Sequence, residues 1–474
     1  MGPTATSDAS RDAVMVLPGI MGSELVDAES GRTLWGLGDA RWYARAWTTG
    51  ASLAALRVTD EERQGRTGRI VATRLLRFPA FAPVLRGVEP YTALTAGIRR
   101  VTAHADAVAE FPYDWRLPVE LNAKRLASAA EQHLDAWRAH PSGSRQARLV
   151  LVAHSMGGLV ARYFTHVLGG GAEVRTVITL GTPYHGAVKA VQILSGGRGA
   201  PLPLPRRRLR DLAATLPGLY DLLPSYRCVD EGASARRLVA GDIAGLGADG
   251  ALAASALAAR ERLLTATAGP HTRPLVGVEQ RTAQSLTFRD GVAEGHDHVC
   301  EDGDDGTPRR VDRRGDGTVY RDAARLDGAE PVHLPQTHGA MSRTGETLAH
   351  VRAVLTERRL GPPLGATGTA LVVPDVVPAG QPFDIGVEPQ TDPASVSVQV
   401  TAAHTPQPLA RPRLLPREGT LAAQVTLPDA GLYRIEAKAG GYSPVTQLVL
   451  ATRPEDLAAR PDDLAARPDD LAAE

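Results

Sequence analysis

The sequence predicts an α/β fold followed by a smaller β-sandwich, and three observations support this fold class. Strand-like and helix-like segments alternate over residues 12–360, which is typical of a largely parallel sheet covered by helices. A strand–turn–helix pattern surrounds Ser155. After residue 360 the chain changes to short alternating strands with proline, glycine and aspartate turns. The 474 residues, 43% of them hydrophobic, suffice for two or three domains.

The elements of the α/β part follow from runs of β-branched and aliphatic residues and from apolar residues at helical spacing. Strands are predicted at 13–19, 107–113, 148–154, 174–181 and 274–280, and helices at 119–138, 157–168 and 343–358. Two excursions interrupt the alternation. Residues 186–265 are predicted to form a helical cap or lid, and residues 284–315 a polar loop rich in glycine and aspartate.

Four regions are therefore predicted along the chain. Residues 1–11 are a disordered N-terminus, residues 12–360 the α/β domain, residues 366–451 an immunoglobulin-like β-sandwich, and residues 452–474 a heptad-repeat tail. The tail repeats RPEDLAA or RPDDLAA with one leucine per seven residues, which favours a solvated, disordered segment over a coiled coil.

The charge balance and the lack of targeting signals narrow the classes of binding partner and the cellular location. The 53 basic and 53 acidic residues balance, which argues against nucleic acid as a partner. No run approaches 18 apolar residues, so no membrane span is predicted. The N-terminus shows no secretory signal, and the only cysteines are Cys228 and Cys300, which favours free thiols in a reducing, cytoplasmic location. The preference for arginine over lysine indicates a GC-rich bacterial genome.

The stretch LVAHSMGGLV, residues 151–160, places Ser155 at the apex of a sharp strand-to-helix turn. A nucleophile elbow needs this geometry, because the serine takes a strained backbone and small neighbours let the strand and the helix approach each other. The usual form is G-x-S-x-G, and Ala153 replaces the first glycine here. The alternative interpretation is a glycine-rich turn with an incidental serine.

A serine hydroxyl becomes a good nucleophile only when a base removes its proton and a third group orients that base. In α/β-hydrolases the partners follow in the order serine, acid, histidine. The motif GDGTV supplies Asp316, and THG supplies His338 just before the last predicted helix. Asp304 and Asp305 are rival acids in the string EDGDDG. Asp316 is preferred because an ordered-looking segment follows it.

The negative oxygen that forms during attack on an ester needs two N–H donors. The residue after the serine, Met156, offers one backbone N–H. The loop VLPGIMGSEL follows the first predicted strand and offers the N–H of Ile20. These two amides are the predicted oxyanion hole.

A group of metal-ligating residue types occurs in HDHVC. His296, His298 and Cys300 are close in sequence, but no second ligand cluster has the spacing of a structural zinc site. A polar surface loop is the favoured interpretation. Neither a metal nor an organic cofactor is predicted.

Seven motifs in a fixed order carry a family resemblance. They are VLPGIMGSEL, FPYDWR, AHSMGG, LGTPYHG, GLYDLLPSY, GDGTV and THG, spread over residues 13–357. Together they resemble the lecithin:cholesterol acyltransferase-like branch of the α/β-hydrolases, which includes phospholipid:diacylglycerol acyltransferases and lysosomal phospholipases. The resemblance implies acyl transfer from a lipid ester, through an acyl-serine, to water or an alcohol. It assigns the triad to Ser155, Asp316 and His338, and the oxyanion hole to Ile20 and Met156.

The resemblance also implies substrate contacts. Trp35 in TLWG is similar to the family's tryptophan near the acyl ester, and Tyr113 and Asp114 in FPYDWR lie at the sheet edge where ligands bind. The structural interpretation of FPYDWR is a strand end held by an Asp114–Arg116 pair and aromatic packing. One departure from the family is Tyr320, since GDGTV is usually followed by proline.

The predicted function is therefore a serine-dependent lipid acyl hydrolase or acyltransferase of the phospholipase or lipase type, in transient contact with a membrane surface. One alternative is a carboxylesterase for non-lipid substrates, which chain-length preference would distinguish. Another is a regulated phospholipase effector, for example in bacterial defence, that reaches a protein partner through residues 366–451. Deletion of residues 362–474 would test the effector model.

Overall fold

A computed structural model describes residues 9–36, 54–82, 86–195, 206–266, 271–303, 308–358, 368–388, 392–417, 419–440 and 442–453. The rival acids Asp304 and Asp305 lie outside these residues. So do residues 1–8 and the heptad tail from residue 454 onward.

Strands and helices alternate through the larger part of the chain. In chain order its strands are β1 (Ala13–Leu17), β2 (Ser23–Asp27), β3 (Thr33–Trp35), β4 (Ile70–Leu75), β5 (Ala80–Ala82), β6 (Arg86–Val88), β7 (Val108–Glu110), β8 (Leu149–His154), β9 (Val174–Leu180), β10 (Val229–Asp230), β11 (Ala235–Arg236), β12 (His271–Val278), β13 (Ser285–Arg289), β14 (Val292–His296), β15 (Val299–Asp302), β16 (Pro308–Val311) and β17 (Val332–Pro335). Its α-helices are α1 (Asp60–Arg63), α2 (Thr92–Arg99), α3 (Val119–Ala139), α4 (Met156–Arg162), α5 (Val188–Ser195), α6 (Arg206–Ala213), α7 (Pro217–Tyr220), α8 (Ala240–Gly245), α9 (Gly250–Thr265) and α10 (Gly345–Leu355).

A six-stranded sheet in the order β17-β12-β9-β8-β1-β7 forms the centre, and each neighbouring pair is parallel. The apolar run of β8 is buried along its whole length, as expected for a strand covered on both faces. Leu17 of β1 pairs with Ala153 of β8, so the loop after β1 and the turn at Ser155 leave the same edge of the sheet. The predicted α/β architecture is confirmed as a mixed fold with a central parallel sheet.

Two predictions of secondary structure need correction. The polar loop predicted over residues 284–315 is wrong, since β13 and β14 form one hairpin and β15 and β16 another. Asp290 and Gly291 have φ of 50° and 72°, and this Asp-Gly turn is a strong hairpin signal that the polar composition obscured. The helix predicted over 157–168 is α-helical only to Arg162 and continues as one π-helical segment, Tyr163–Val167.

The predicted cap, residues 186–265, contains α5 to α9 and the short strands β10 and β11. Within the described part of the chain, no helix is long and apolar enough to cross a bilayer. Cys228 and Cys300 are buried and are not joined by a disulfide.

The C-terminal part consists of two sheets around a shared apolar core. Its strands are β18 (Ala370–Val372), β19 (Val376–Pro378), β20 (Pro382–Glu388), β21 (Val396–Ala402), β22 (Pro408–Ala410), β23 (Leu415–Arg417), β24 (Thr420–Thr426), β25 (Gly431–Ala439) and β26 (Val445–Thr452). The sheets have the orders β18-β20-β24-β23 and β19-β26-β25-β21-β22. Val387 and Leu421 of one sheet belong to the same buried cluster as Ile435 and Val449 of the other. The immunoglobulin-like assignment stays a prediction.

The C-terminal sheets contact the larger part of the chain through a buried ion pair. The carboxylate of Glu89, 1% exposed, accepts hydrogen bonds from Arg434 Nε and Nη2 at 2.6 and 2.8 Å. Arg343 reaches the same carboxylate at 3.1 Å. An apolar cluster lies nearby, made of Phe81 with Val376, Leu432, Leu448 and Leu450.

Asp221 in the cap makes folding stability depend on pH. Its carboxylate accepts the backbone N–H of Val119 at 2.6 Å, and burial raises the pKa of Asp221 from 3.8 to about 6. Between pH 4 and 6 the carboxyl group of Asp221 is therefore protonated in the folded chain but ionised in the unfolded chain. The free energy of unfolding should then fall as pH rises through that window, by about 2 kcal/mol from this group.

We expect Asp221→Asn to remove this decrease and to be more stable than the wild type above pH 6. Urea unfolding at a series of pH values measures it. Asp384→Asn, at an exposed position, is the control and should leave the profile unchanged. An Asp221→Asn profile parallel to the wild type would contradict the assignment.

Candidate active site

The backbone at Ser155 has the strained form expected of a nucleophile elbow. Ser155 lies between β8 and α4 with φ 51° and ψ −124°, a left-handed region that non-glycine residues rarely adopt. The following glycines allow the close approach. A Cβ on Gly157 would lie 2.4 Å from the carbonyl oxygen of Pro18, and one on Gly158 would lie 2.0 Å from Oγ1 of Thr182. A larger residue at Gly157 would therefore push the turn away from the loop after β1, and one at Gly158 would push it away from Thr182, just after β9.

Three of the predicted site residues form one hydrogen-bonded array. Ser155 Oγ lies 2.8 Å from His338 Nε2, and His338 Nδ1 lies 2.7 Å from Asp316 Oδ2. All three residues are buried. A carboxylate only accepts hydrogen bonds, so Nδ1 carries the proton and Nε2 is free to accept from the serine hydroxyl. This arrangement can transfer the serine proton to the imidazole while the carboxylate stabilises the resulting cation.

The loop around Asp316 fixes its carboxylate. Oδ1 accepts the backbone N–H groups of Thr318 at 2.9 Å and Val319 at 2.7 Å, which leaves Oδ2 for the histidine. The backbone carbonyl of Asp316 also accepts the N–H of His338 at 2.8 Å. Tyr320, where proline was expected, is buried and follows this loop without displacing it.

The two predicted oxyanion donors belong to the loop after β1, which carries Ile20, and to the first residue of α4, Met156. Met156 is the first residue of α4, so its N–H has no carbonyl acceptor one turn earlier in the helix. Ile20 lies in the wall of the cavity at Ser155. Gly19 packs against the serine, since a Cβ there would lie 2.9 Å from Ser155 Cβ.

Ser155 and His338 face a small and mainly apolar cavity. Its described walls include Ile20, Met21, Val88, Pro183, Ala187, Lys189, Ala190, Leu222 and Val319. The space open to a water-sized molecule is about 30 Å³. An acyl chain therefore needs its walls to move apart.

The three predicted substrate contacts lie elsewhere. Trp35 is buried, and its Nε1 donates to the carbonyl of Met21 at 2.8 Å. The hydroxyl of Tyr113 donates to the carbonyl of Pro18 at 2.8 Å, and burial raises the pKa of Tyr113. Both aromatic residues thus hold the backbone of residues 18–21 and are not part of the described cavity wall.

Asp114 also has a structural contact, a buried ion pair next to the strand end. It pairs with Arg116 through two hydrogen bonds of 2.9 and 2.7 Å, and Arg116 contacts Glu62 at 2.8 Å. Both Asp114 and Arg116 are almost fully buried. The structural interpretation of FPYDWR, a strand end held by an ion pair, matches this geometry.

Sequence reasoning missed a second group of residues at this site. His154, just before the serine, contacts Tyr91 and the backbone of His338 rather than the serine hydroxyl. Tyr91 in turn contacts Gly19. The sequence offered no signal for this link, because Tyr91 lies 63 residues from His154 and no motif joins them.

Within HDHVC, His296 ends β14, Val299 and Cys300 begin β15, and Asp297 and His298 form the short link between these strands. His298 and Cys300 meet Asp230, with one donor atom from each within 4.8 Å of the others. Arg310 forms hydrogen bonds of 2.7 and 2.9 Å with the two oxygens of Asp230. The pKa of Asp230 is accordingly lowered, mainly by Arg310. Both oxygens of Asp230 therefore already accept hydrogen bonds from Arg310, and a metal ion would compete with this guanidinium for them.

Comparison with known proteins bears on this geometry. Residues 87–243 match the family model described as "Lecithin:cholesterol acyltransferase". A chain of the Tle4–Tli4 complex is similar in structure, with 15% identity, 73% of this chain and 96% of that chain covered, and a TM-score of 0.45. Mature Bacillus licheniformis lipase BlEst2 is also similar, with 13% identity, 75% of this chain and 96% of that chain covered, and a TM-score of 0.35.

A further similarity, to the PKD domain of an M14-like peptidase from a Thermoplasmatales archaeon, covers 18% of this chain and 94% of that domain, with 16% identity and a TM-score of 0.14. The comparison with curated proteins gave no significant match. The family resemblance carried by FPYDWR, AHSMGG and LGTPYHG is confirmed: residues 87–243 match the lecithin:cholesterol acyltransferase family.

Proposed function

We propose that this protein is a serine-dependent acyl hydrolase or acyltransferase that acts on lipid esters through an acyl-serine intermediate. The observation that carries the proposal is the array of Asp316, His338 and Ser155, hydrogen-bonded in that order and facing an apolar cavity. The family match over residues 87–243 supports a lipid ester as substrate.

In the proposed reaction, His338 Nε2 takes the hydroxyl proton of Ser155 as Oγ attacks the ester carbonyl. The carbonyl oxygen becomes negative and is stabilised by the backbone N–H groups of Ile20 and Met156. The tetrahedral intermediate then expels the alcohol, which receives its proton from His338. Water or an acceptor alcohol, deprotonated by His338, then attacks the acyl-serine. The second tetrahedral intermediate releases the acyl product, and Ser155 Oγ regains its proton from His338. Asp316 stays ionised and stabilises the imidazolium.

The cap is proposed to act as a lid over this site. Ala187, Ala190 and Leu222 belong to residues 186–265 and form one side of the small cavity. Their displacement would open an apolar channel for an acyl chain. A lipid surface would favour the open form, because it receives the apolar side chains that the movement exposes.

Product identification tests the proposal. The protein and its Ser155→Ala variant are incubated with bacterial polar lipids and a long-chain alcohol, and the products are followed by mass spectrometry. Serine-dependent fatty acid indicates hydrolysis, and serine-dependent alkyl ester indicates transfer. Identical lipid profiles for the two proteins would contradict a lipid-directed activity.

A series of esters with acyl chains of increasing length tests the non-lipid alternative. A lipid enzyme should gain in kcat/KM as the chain lengthens, since each buried methylene contributes about 0.8 kcal/mol. A preference for acetyl esters would favour a carboxylesterase instead.

A further inference from the structure

Four groups connect the loop after β1 to the loop of the catalytic histidine. The N–H of Gly19 lies 2.9 Å from the hydroxyl oxygen of Tyr91. That oxygen lies 2.8 Å from His154 Nδ1, and His154 Nε2 lies 3.0 Å from the backbone carbonyl oxygen of His338. Tyr91 and His154 are each about 1% exposed, so water does not compete for these groups.

The chemistry of the groups allows one direction for this chain. The carbonyl of His338 only accepts, so His154 carries its proton on Nε2. Burial lowers the pKa of His154 to about 3, so the imidazole is neutral and Nδ1 accepts from the hydroxyl of Tyr91. The oxygen of Tyr91 then accepts from the backbone N–H of Gly19. Each donor has an acceptor, and each bond fixes the next.

Both ends of the chain lie at reacting groups. Gly19 directly precedes Ile20, the proposed oxyanion donor, and packs against Ser155. His154 directly precedes the serine. The carbonyl at the other end belongs to His338 itself, whose imidazole lies with its centre 5.0 Å from that of His154. One hydrogen-bonded chain therefore links the loop after β1, the turn at Ser155 and the loop of His338, whereas the loop of Asp316 lies outside it.

We infer that Tyr91 and His154 are positioning residues, which hold the oxyanion donor of Ile20 and the base His338 in register across Ser155. The inference rests on the proposed function, since it assigns roles within that reaction. His154 lies in the cavity wall, but both of its imidazole nitrogens are occupied by Tyr91 and by the carbonyl of His338, so it does not act as a base. Misplacement of a catalytic group by about 1 Å costs roughly 100-fold in rate, so these hydrogen bonds can affect catalysis by fixing positions alone.

The test uses Tyr91→Phe, His154→Gln and the double variant of the full chain. Tyr91→Phe removes one hydroxyl, whereas His154→Gln keeps an N–H donor for the carbonyl of His338. Tyr433→Phe is the matched control, since its buried hydroxyl donates to the carbonyl of Asp429 in the C-terminal sheets. For each protein, kcat and KM are measured with a chromogenic medium-chain ester, together with the melting temperature.

We expect Tyr91→Phe to lower kcat by about 10- to 100-fold with KM changed less than about two-fold, since the substrate pocket stays intact. The double variant should lose no more than the worse single variant, because either change breaks the same chain. The downfield proton resonance of His338 Nδ1–H should shift in both single variants. Tyr433→Phe should retain the wild-type kcat.

Three results would overturn the inference. The first is an unchanged kcat in Tyr91→Phe with only a lower melting temperature, which marks a purely structural hydroxyl. The second is a double variant whose loss is the product of the single losses. The third is an unshifted His338 resonance. Covalent labelling by a fluorophosphonate separates these from a failure of the proposed function: a wild-type protein that is not labelled at Ser155 contradicts both proposals.

Discussion

Alanine at Ser155 or at His338 is expected to lower the rate of ester cleavage by roughly 10⁵- to 10⁶-fold, and the double replacement should cost no more. The hydroxyl and the imidazole act as one unit, 2.8 Å apart, so the loss of either removes the same step. The residual rate would come from substrate binding and the two backbone amides at the oxyanion. Steady-state hydrolysis of a chromogenic ester, with circular dichroism to establish folding, measures these losses.

Asp316→Asn is the companion variant and should lose about 10⁴-fold, because an amide orients the imidazole in the wrong tautomer. Asp322→Asn, in the same loop region but partly exposed, is the control. If Asp316→Asn kept its rate while replacement of Asp304 or Asp305 removed it, the acid would be one of the rivals noted in the sequence. Independent, multiplicative losses for Ser155 and His338 would contradict the triad.

Arg434→Met is expected to have the second largest effect, a loss of about 3 kcal/mol in the free energy of unfolding. The carboxylate of Glu89 is buried, and Arg434 supplies two of its hydrogen bonds. Without them, the cation that still pairs with this carboxylate among the described residues is Arg343, which is more exposed. Urea unfolding monitored by tryptophan fluorescence measures the loss.

The same variant should also slow catalysis. The backbone N–H of Glu89 donates to the carbonyl of Gly339 at 3.0 Å, directly after His338, the proposed base. Arg417→Met is the control, because its pair with Asp384 is exposed and such pairs contribute little. The double variant Glu89→Gln/Arg434→Met should regain part of the lost stability, since it leaves no buried carboxylate and the remaining cation, Arg343, is exposed to water. An Arg434→Met protein as stable as Arg417→Met would contradict the role of this contact.

This contact also changes how deletion of residues 362–474 should be interpreted. Such a deletion removes Arg434 and Thr446, and Thr446 accepts a hydrogen bond from Thr337, the neighbour of His338. Loss of activity on deletion would therefore report on the catalytic loop as well as on any partner. Arg434→Met distinguishes the two, because it leaves the outer surface of the sandwich in place.

The sequence predicts the central strands well because their physical signal is local. A continuous apolar run such as that of β8 is stable only where both faces of the strand are buried, as in the middle of a sheet covered by helices. The small residues around Ser155 likewise admit one sharp turn. The hairpin of β13 and β14 is hard to predict because its strands carry many polar residues, and the turn at Asp290 and Gly291 is its local signal.

Contacts between distant segments could not be predicted in the same way. Trp35 and Tyr113 stay predicted substrate contacts, and the sequence carried no sign that their polar atoms donate to backbone carbonyls of residues 18–21. The link from Tyr91 to His154, and that from Glu89 to Arg434, depend on how whole elements pack. Neither leaves a periodic or motif-like trace in the chain.

The anchoring of the catalytic loop by the last strands has a consequence for biosynthesis. Thr337 and Gln336 bond to the backbone of Thr446, which the ribosome adds about a hundred residues later. A nascent chain can complete the larger part of the fold, including the serine turn, before this support exists. We expect a nascent chain to gain full activity only after Thr446 has left the ribosome and β26 has docked against Thr337 and Gln336.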